Sequence, residues 1–307
     1  MKRCYVPKTF RPAALDIIDA ANTIIEEYQR QGYTLTLRQI YYQFVSRDLL
    51  ENTVQSYKRL GKILNEARLA GLVDWTAIED RTRNLRSLAH WDDVADIVGA
   101  CASQFRLDVW NDQPHRVECW IEKEALAGVF ERACNKWRVP FFCCRGYASA
   151  SEMWSASQRL IKYEKSRQAV TILHFGDHDP SGMDMSRDLE ARLRLFGALR
   201  GGGSSFERLA LNMSQIEEYG PPPNPAKESD SRFEDYQRQY GDESWELDAL
   251  EPSVLAGLVD DGVENVLDHE AWRSSLAEED GGRDELRAAA NRWDNVVEFL
   301  GVHGEVE

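Results

Sequence analysis

Residues 116–212 alternate short apolar runs with amphipathic stretches, and that alternation limits the folds open to this chain more than any other feature. RVECWIE (116–122), VPFFCC (139–144) and AVTILHF (169–175) have the length and β-branched or aromatic content of buried strands. KEALAGVFERACNKW, ASEMWSASQRLIKYEK and MDMSRDLEARLRLF follow them as helices, and FERLALN (206–212) reads as a further strand. Strand, helix, strand, helix in this order predicts an α/β domain: a parallel sheet with helices on its faces. The boundaries drawn from the sequence are 1–90, an N-terminal helical domain; 91–115, a helix plus connector; 116–215, the parallel-sheet domain; and 216–307, an acidic, helical C-terminal extension opening on the Pro-rich loop GPPPNPAKESDSR (220–232).

The N-terminal part reads as three helices. Residues 12–31 space Leu15, Ile18, Ala21, Ile24, Ile25 and Tyr28 on one face, and Gly32 stops the run. Thr36 is placed to cap a short helix, LRQIYYQFVSR. The third helix, over 54–70, puts Val54, Tyr57, Leu60, Ile63, Leu64 and Ala67 inward, while Lys58, Arg59, Lys62 and Arg68 cover its other faces. An extended piece with Arg81 and Arg83 follows. Helix, helix, basic helix and basic flap is the order of a winged helix-turn-helix, with those six basic residues as the expected contacts to duplex phosphates.

Charge is distributed to match. The chain carries 37 Lys+Arg against 52 Asp+Glu, net −15. The first 90 residues are nevertheless net +4, residues 91–200 net −1, and residues 201–307 net −18. A polyanion would be repelled by the last third and met by the first. No apolar run approaches the ~20 residues of a membrane helix. Asp16 and Asp19 interrupt the basic start before any secretory cleavage pattern, so no membrane partner and a cytoplasmic location are expected. Six cysteines without C-x-x-C spacing are expected to be reduced thiols.

Three carboxylates fall where an open parallel sheet binds ligands, outside the carboxyl ends of its strands. Glu122 ends the first strand, and Asp177 and Asp179 follow the third. Hard oxygen donors of this kind suit Mg²⁺. The competing structural role is a solvated acidic turn, with an aspartate capping a helix that begins at Pro180.

Glu122 in WIEKEAL, then RGYASASE, then Asp177 and Asp179 in GDHDPSG together resemble a Toprim domain, the Rossmann-like metal-binding fold of topoisomerases, primases and some nucleases. The Pro-Ser-Gly after Asp179 and the Glu122–Lys123–Glu124–Ala125 run are similar to the topoisomerase VI A subunit and the meiotic double-strand-break transesterase. TLRQIYYQF resembles the segment of the same group in which a winged helix carries the nucleophilic tyrosine, and WELDAL (245–250) is more loosely similar to an acidic helix late in the A subunits. The resemblance implies Tyr42 as nucleophile with Arg38 beside it, and Glu122, Asp177 and Asp179 as Mg²⁺ ligands. It implies double-stranded DNA as substrate, a homodimer with Tyr42 of one copy over the carboxylates of the other, and a separate GHKL-type ATPase subunit. Helix spacing agrees on the tyrosine. Leu37, Ile40, Tyr41, Phe44 and Val45 form the apolar stripe, leaving Arg38, Tyr42 and Ser46 on the polar face. The expected function is DNA cleavage by tyrosine transesterification, in a compact form of the A subunit. The alternatives are a Toprim nuclease that hydrolyses DNA without a covalent intermediate and a non-catalytic DNA-binding accessory protein.

Overall fold

The computed structural model describes residues 2–79 and 88–301. Arg81 and Arg83 lie outside them. The chain divides into two compact units: Met1–Arg83 with Val117–Asn265, and Asn84–Arg116 with Val266–Glu307.

The first unit opens with α1 (Pro12–Arg30), α2 (Leu37–Ser46) and α3 (Val54–Leu69). Several of these ends have a local cause. Pro12 sits at the first helical position of α1, Gly32 takes φ +81° beyond its end, and Gly71 takes φ +76° beyond α3. Thr36 and Gln39 form a reciprocal capping box on α2, with the Thr36 N–H donating to Gln39 Oε1 at 2.9 Å. Ile18, Ile24 and Tyr28 meet Ile40 and Phe44 of α2 and Leu60 and Leu64 of α3 in one buried cluster. Leu15 and Val54, at helix starts, stay exposed.

After α4 (Val94–Gln104) the chain forms β1 (His115–Ile121), α5 (Ala127–Trp137), β2 (Phe141–Cys143), α6 (Ala150–Lys165), β3 (Ala169–Phe175), α7 (Pro180–Leu195) and β4 (Ser205–Ala210). The four strands make one sheet in the order β2-β1-β3-β4, and the β1–β2 and β3–β4 pairs are parallel. Alternate residues serve the two faces. Trp120, Val170 and Ile172 join Met153 and Leu160 of α6 and Leu189 and Leu193 of α7. On the other face the Phe130 ring of α5 lies 4.7 Å from that of Phe175.

The sheet is followed by α8 (Met213–Tyr219), a two-residue antiparallel ladder of β5 (Asn224–Pro225) with β6 (Glu243–Ser244), α9 (Phe233–Tyr240) between them, and α10 (Pro252–Glu264) against α5. Gly262 lets α10 close on the sheet, since a Cβ there would stand 2.9 Å from the side chains of Leu173 and Leu209.

In the second unit α4 packs against α11 (His269–Asn291), which α12 (Trp293–Leu300) follows. Buried Glu279 accepts the Leu107 N–H at 2.7 Å. The two units therefore differ from the four sequence segments: residues 91–115 belong with the C-terminal helices, and the N-terminal helices share a unit with the sheet. These associations join segments far apart in sequence, so local patterning cannot reveal them. No helix among the described residues is long and apolar enough to cross a membrane. The six cysteines, all among the described residues, form no disulfide.

Candidate functional site

The strand order creates the site. β1 connects to β2 on one side and β3 to β4 on the other, so the chain parts between β1 and β3, the switch point where open sheets bind ligands. Glu122 follows β1 there and Asp177 follows β3. The Glu122 N–H donates to Phe175 O at 2.9 Å, and Glu122 Oε2 accepts the Asp177 N–H at 2.9 Å. Gly176 makes this approach possible, because a Cβ on it would lie 2.9 Å from Glu122 Oε2. Asp179 Oδ1 caps α7 through the Gly182 N–H at 2.6 Å. The capping role and the proximity to Glu122 coexist.

Burial dominates the electrostatics. It raises the Glu122 carboxyl, as does the charge of Asp179, and the Asp177 N–H only partly opposes them. Asp177 is pushed up to about 7 by burial, with Lys123 pulling the other way. Arg208 stands behind both, giving hydrogen bonds to Asp177 O at 2.6 Å and Gly176 O at 3.0 Å. Burial depresses His174 to about 3 and His178 to about 4, so both rings are neutral at pH 7. His174 is bonded to Ser186 at 3.2 Å and His178 to the Tyr236 hydroxyl at 2.8 Å, which leaves both as structural members.

Asp177 also feels the charge of Glu122, which adds to its upward shift. Its Oδ1 accepts the Leu247 N–H at 2.7 Å and pairs with Lys123 Nζ at 2.9 Å. Among the described residues no three acidic, His or Cys side chains gather as a ready metal cage. The donor set still fits Mg²⁺. It is all oxygen, two of its carboxyls are held above their ordinary range by burial and would be relieved by a cation, and Mg²⁺ needs only one or two carboxylates while keeping its waters.

The segment around 245–250 joins this loop to α2. His178 and Trp245 exchange two backbone hydrogen bonds at 2.9 Å each, pinning the segment to the D-H-D turn. Glu246 and Asp248 then lie among the cations. Lys123 Nζ is 2.5 Å from Glu246 Oε2 and 3.0 Å from Asp248 Oδ1. Arg38 pairs with Glu246, and its Nε lies 2.8 Å from Asp248 Oδ2. Tyr42 completes the chain: an Arg38 Nη lies 3.4 Å from its hydroxyl, and the charges of Asp248 and Glu246 act on it. A run of charged groups thus leads from Tyr42 through Arg38, Asp248 and Lys123 to Asp177 within one unit. No family model and no curated protein matches this chain.

Tyr42 differs from its expected surface position. It is 5% exposed, as is Tyr41, because the 245–250 segment covers the polar face of α2. Burial, with Asp248 and Glu246 nearby, lifts its phenol above the ordinary value against the pull of Arg38. Tyr41 is anchored otherwise, with its hydroxyl 3.0 Å from Thr53 O. Of the basic residues, Lys58, Arg59 and Lys62 are exposed on α3. Arg68 departs from that set: it donates to Trp75 O at 2.7 Å and its guanidinium lies 4.7 Å from the Trp75 ring centre, so it is used in packing. Sequence reasoning about the site missed Arg208 and the roles of Glu246 and Asp248. The acidic W-E-L-D run was their only signal.

Proposed function

We propose that this chain cleaves DNA by Mg²⁺-dependent tyrosine transesterification, as the DNA-cleaving subunit of a type IIB topoisomerase-like enzyme, with the N-terminal helices as its winged helix and the sheet as its Toprim domain. One observation carries the reading. The helix with Arg38 and Tyr42 is joined, through Glu246, Asp248 and Lys123, to the carboxylate loop at the sheet's switch point.

In this reading Lys58, Arg59 and Lys62 hold duplex phosphates and position the strand. Glu122, Asp177 and Asp179 hold Mg²⁺. When bound, Mg²⁺ supplies positive charge against that developing on the phosphate. Arg38 donates to a phosphate oxygen and stabilises the same charge. The Tyr42 oxygen attacks phosphorus, the bond to the 3′ oxygen breaks, and a 5′-phosphotyrosyl link and a free 3′-hydroxyl result. The phenolic proton leaves to water, and the 3′ oxygen takes one up. Cutting both strands calls for two copies, whichever copy's carboxylates serve each tyrosine. A GHKL-type ATPase subunit is the partner that would couple cleavage to strand passage.

The burial of Tyr42 favours a second reading, hydrolysis by a metal-activated water without a covalent link. A denaturing gel of the chain with duplex DNA and Mg²⁺ separates the two. Adducts lost in Tyr42→Phe support transesterification; nicks without adducts, unchanged in Tyr42→Phe, support hydrolysis.

A further inference from the structure

Glu246 and Asp248 stand two residues apart and touch the same two cations, yet they are held differently. The Asp248 side chain is fully buried and brackets both, with Arg38 Nε at 2.8 Å from one oxygen and Lys123 Nζ at 3.0 Å from the other. The Glu246 side chain is 29% exposed, and no backbone N–H among the described residues donates to it. It lies on the wall of an open cleft of about 250 Å³ that Arg38, Tyr42, Tyr57, Asn52 and Asn224 also line. Arg38 and Lys123 both donate to Glu246 Oε2, beside the Tyr42 hydroxyl, which an Arg38 Nη reaches at 3.4 Å.

These donors form a seat for an anion. A phosphodiester carries the same single negative charge as a carboxylate, and one of its non-bridging oxygens can accept from the Arg38 guanidinium and the Lys123 ammonium as Glu246 Oε2 does. With Glu246 swung into the cleft, Arg38 would keep Asp248, and Lys123 would keep Asp248 and Asp177, so the seat would persist. We propose that Glu246 is the internal occupant of a phosphodiester seat formed by Arg38 and Lys123 beside Tyr42, and that an entering nucleic-acid strand displaces it. The observed arrangement is then a self-blocked resting state, in which Glu246 covers the tyrosine and engages the arginine. The assignment of the strand as the occupant rests on the DNA-cleavage reading; the preference of the seat for phosphate does not.

The test uses the full chain and its Glu246→Gln form, with two probes in the presence of EDTA. The first is a fluorescein-labelled 25-base-pair duplex followed by anisotropy at several salt concentrations; the second is inorganic phosphate followed by thermal melting. Glu246→Gln should bind the duplex about tenfold more tightly. Its salt slope should be steeper by about 0.9, the increment for one more phosphate neutralised. Inorganic phosphate should raise the melting temperature of Glu246→Gln and not of the unaltered chain, and both effects should vanish in Arg38→Gln/Glu246→Gln. Glu246→Ala should reproduce the signs, which covers a folding defect peculiar to one replacement. Unchanged or weaker binding of both probes in both Glu246 variants overturns the proposal, even if the unaltered chain forms DNA adducts. Stabilisation of Glu246→Gln by phosphate, with no form binding duplex, would keep the seat and remove the DNA-cleavage reading.

Discussion

Replacing Lys123 by Met keeps most of the side chain's volume and removes its charge. The amine lies 2.5 Å from Glu246, 2.9 Å from Asp177 and 3.0 Å from Asp248, and its side chain is only 16% exposed. Two cations, Arg38 and Lys123, balance those three carboxylates; the variant leaves Arg38 alone against all three. Breaking a buried pair in this way costs about 3–5 kcal/mol, because the remaining charge is left in a poorly solvated place. The pH dependence carries the sharper information. Burial pulls the amine down, but Asp248, Asp177 and Glu246 outweigh it and hold it above its ordinary value. The amine of the unaltered chain therefore stays charged between pH 5 and 8, while its partner Asp177 titrates there. In Lys123→Met the crowded carboxylates are raised above their unfolded values, so the folded state binds more protons and loses stability as pH rises. Urea unfolding followed by tryptophan fluorescence should show a deficit of about 3–5 kcal/mol at pH 8 and a clearly smaller one at pH 5. An equal deficit at both values, or one below about 1 kcal/mol, would refute the claim that Lys123 neutralises this cluster.

In the proposed reading Mg²⁺ displaces a proton from Asp177, which burial pushes up to about 7, so Mg²⁺ affinity by calorimetry should rise about tenfold per pH unit below 7 and level off above it. A flat profile from pH 6 to 8 would contradict this. Neutralising Lys58, Arg59 and Lys62 should lower the salt slope of duplex binding by about 0.9 for each phosphate that is no longer held. Arg68→Gln should leave that slope unchanged and lower stability instead, because Arg68 is spent on Trp75. Thr36→Ala should destabilise the helix carrying Tyr42 by about 1 kcal/mol in urea unfolding, since it removes one half of a capping box.

Much of the fold could be read from local chemistry. Thr36 announces α2, Gly32 and Gly71 end their helices through positive φ, and AVTILHF matches β3 residue for residue. The Asp179-Pro180 pair marks the start of α7, although apolar spacing alone begins that helix three residues later, at Met183. What escaped depends on partners distant in sequence. The β5–β6 ladder is two residues long, too short for an alternating pattern to appear. Tyr42 has the helical spacing of a surface residue, but a segment about two hundred residues later covers it. Glu122, Asp177 and Asp179 were legible because they follow strands. Lys123, Glu246 and Asp248 were not legible as a cluster, because contacts distant in sequence, the His178–Trp245 bridge and the Leu247–Asp177 bond among them, bring the acidic segment to the loop.

The account turns on Tyr42, and mass spectrometry of the covalent product tests it most directly. The full chain would be incubated with duplex DNA and Mg²⁺, denatured, digested with nuclease and trypsin, and searched for a peptide carrying a residual nucleotide. The account predicts the added mass on Tyr42, none on Tyr41, and no adduct in Glu122→Gln. Cleaved DNA with a free 5′-phosphate and an unmodified Tyr42 would contradict it.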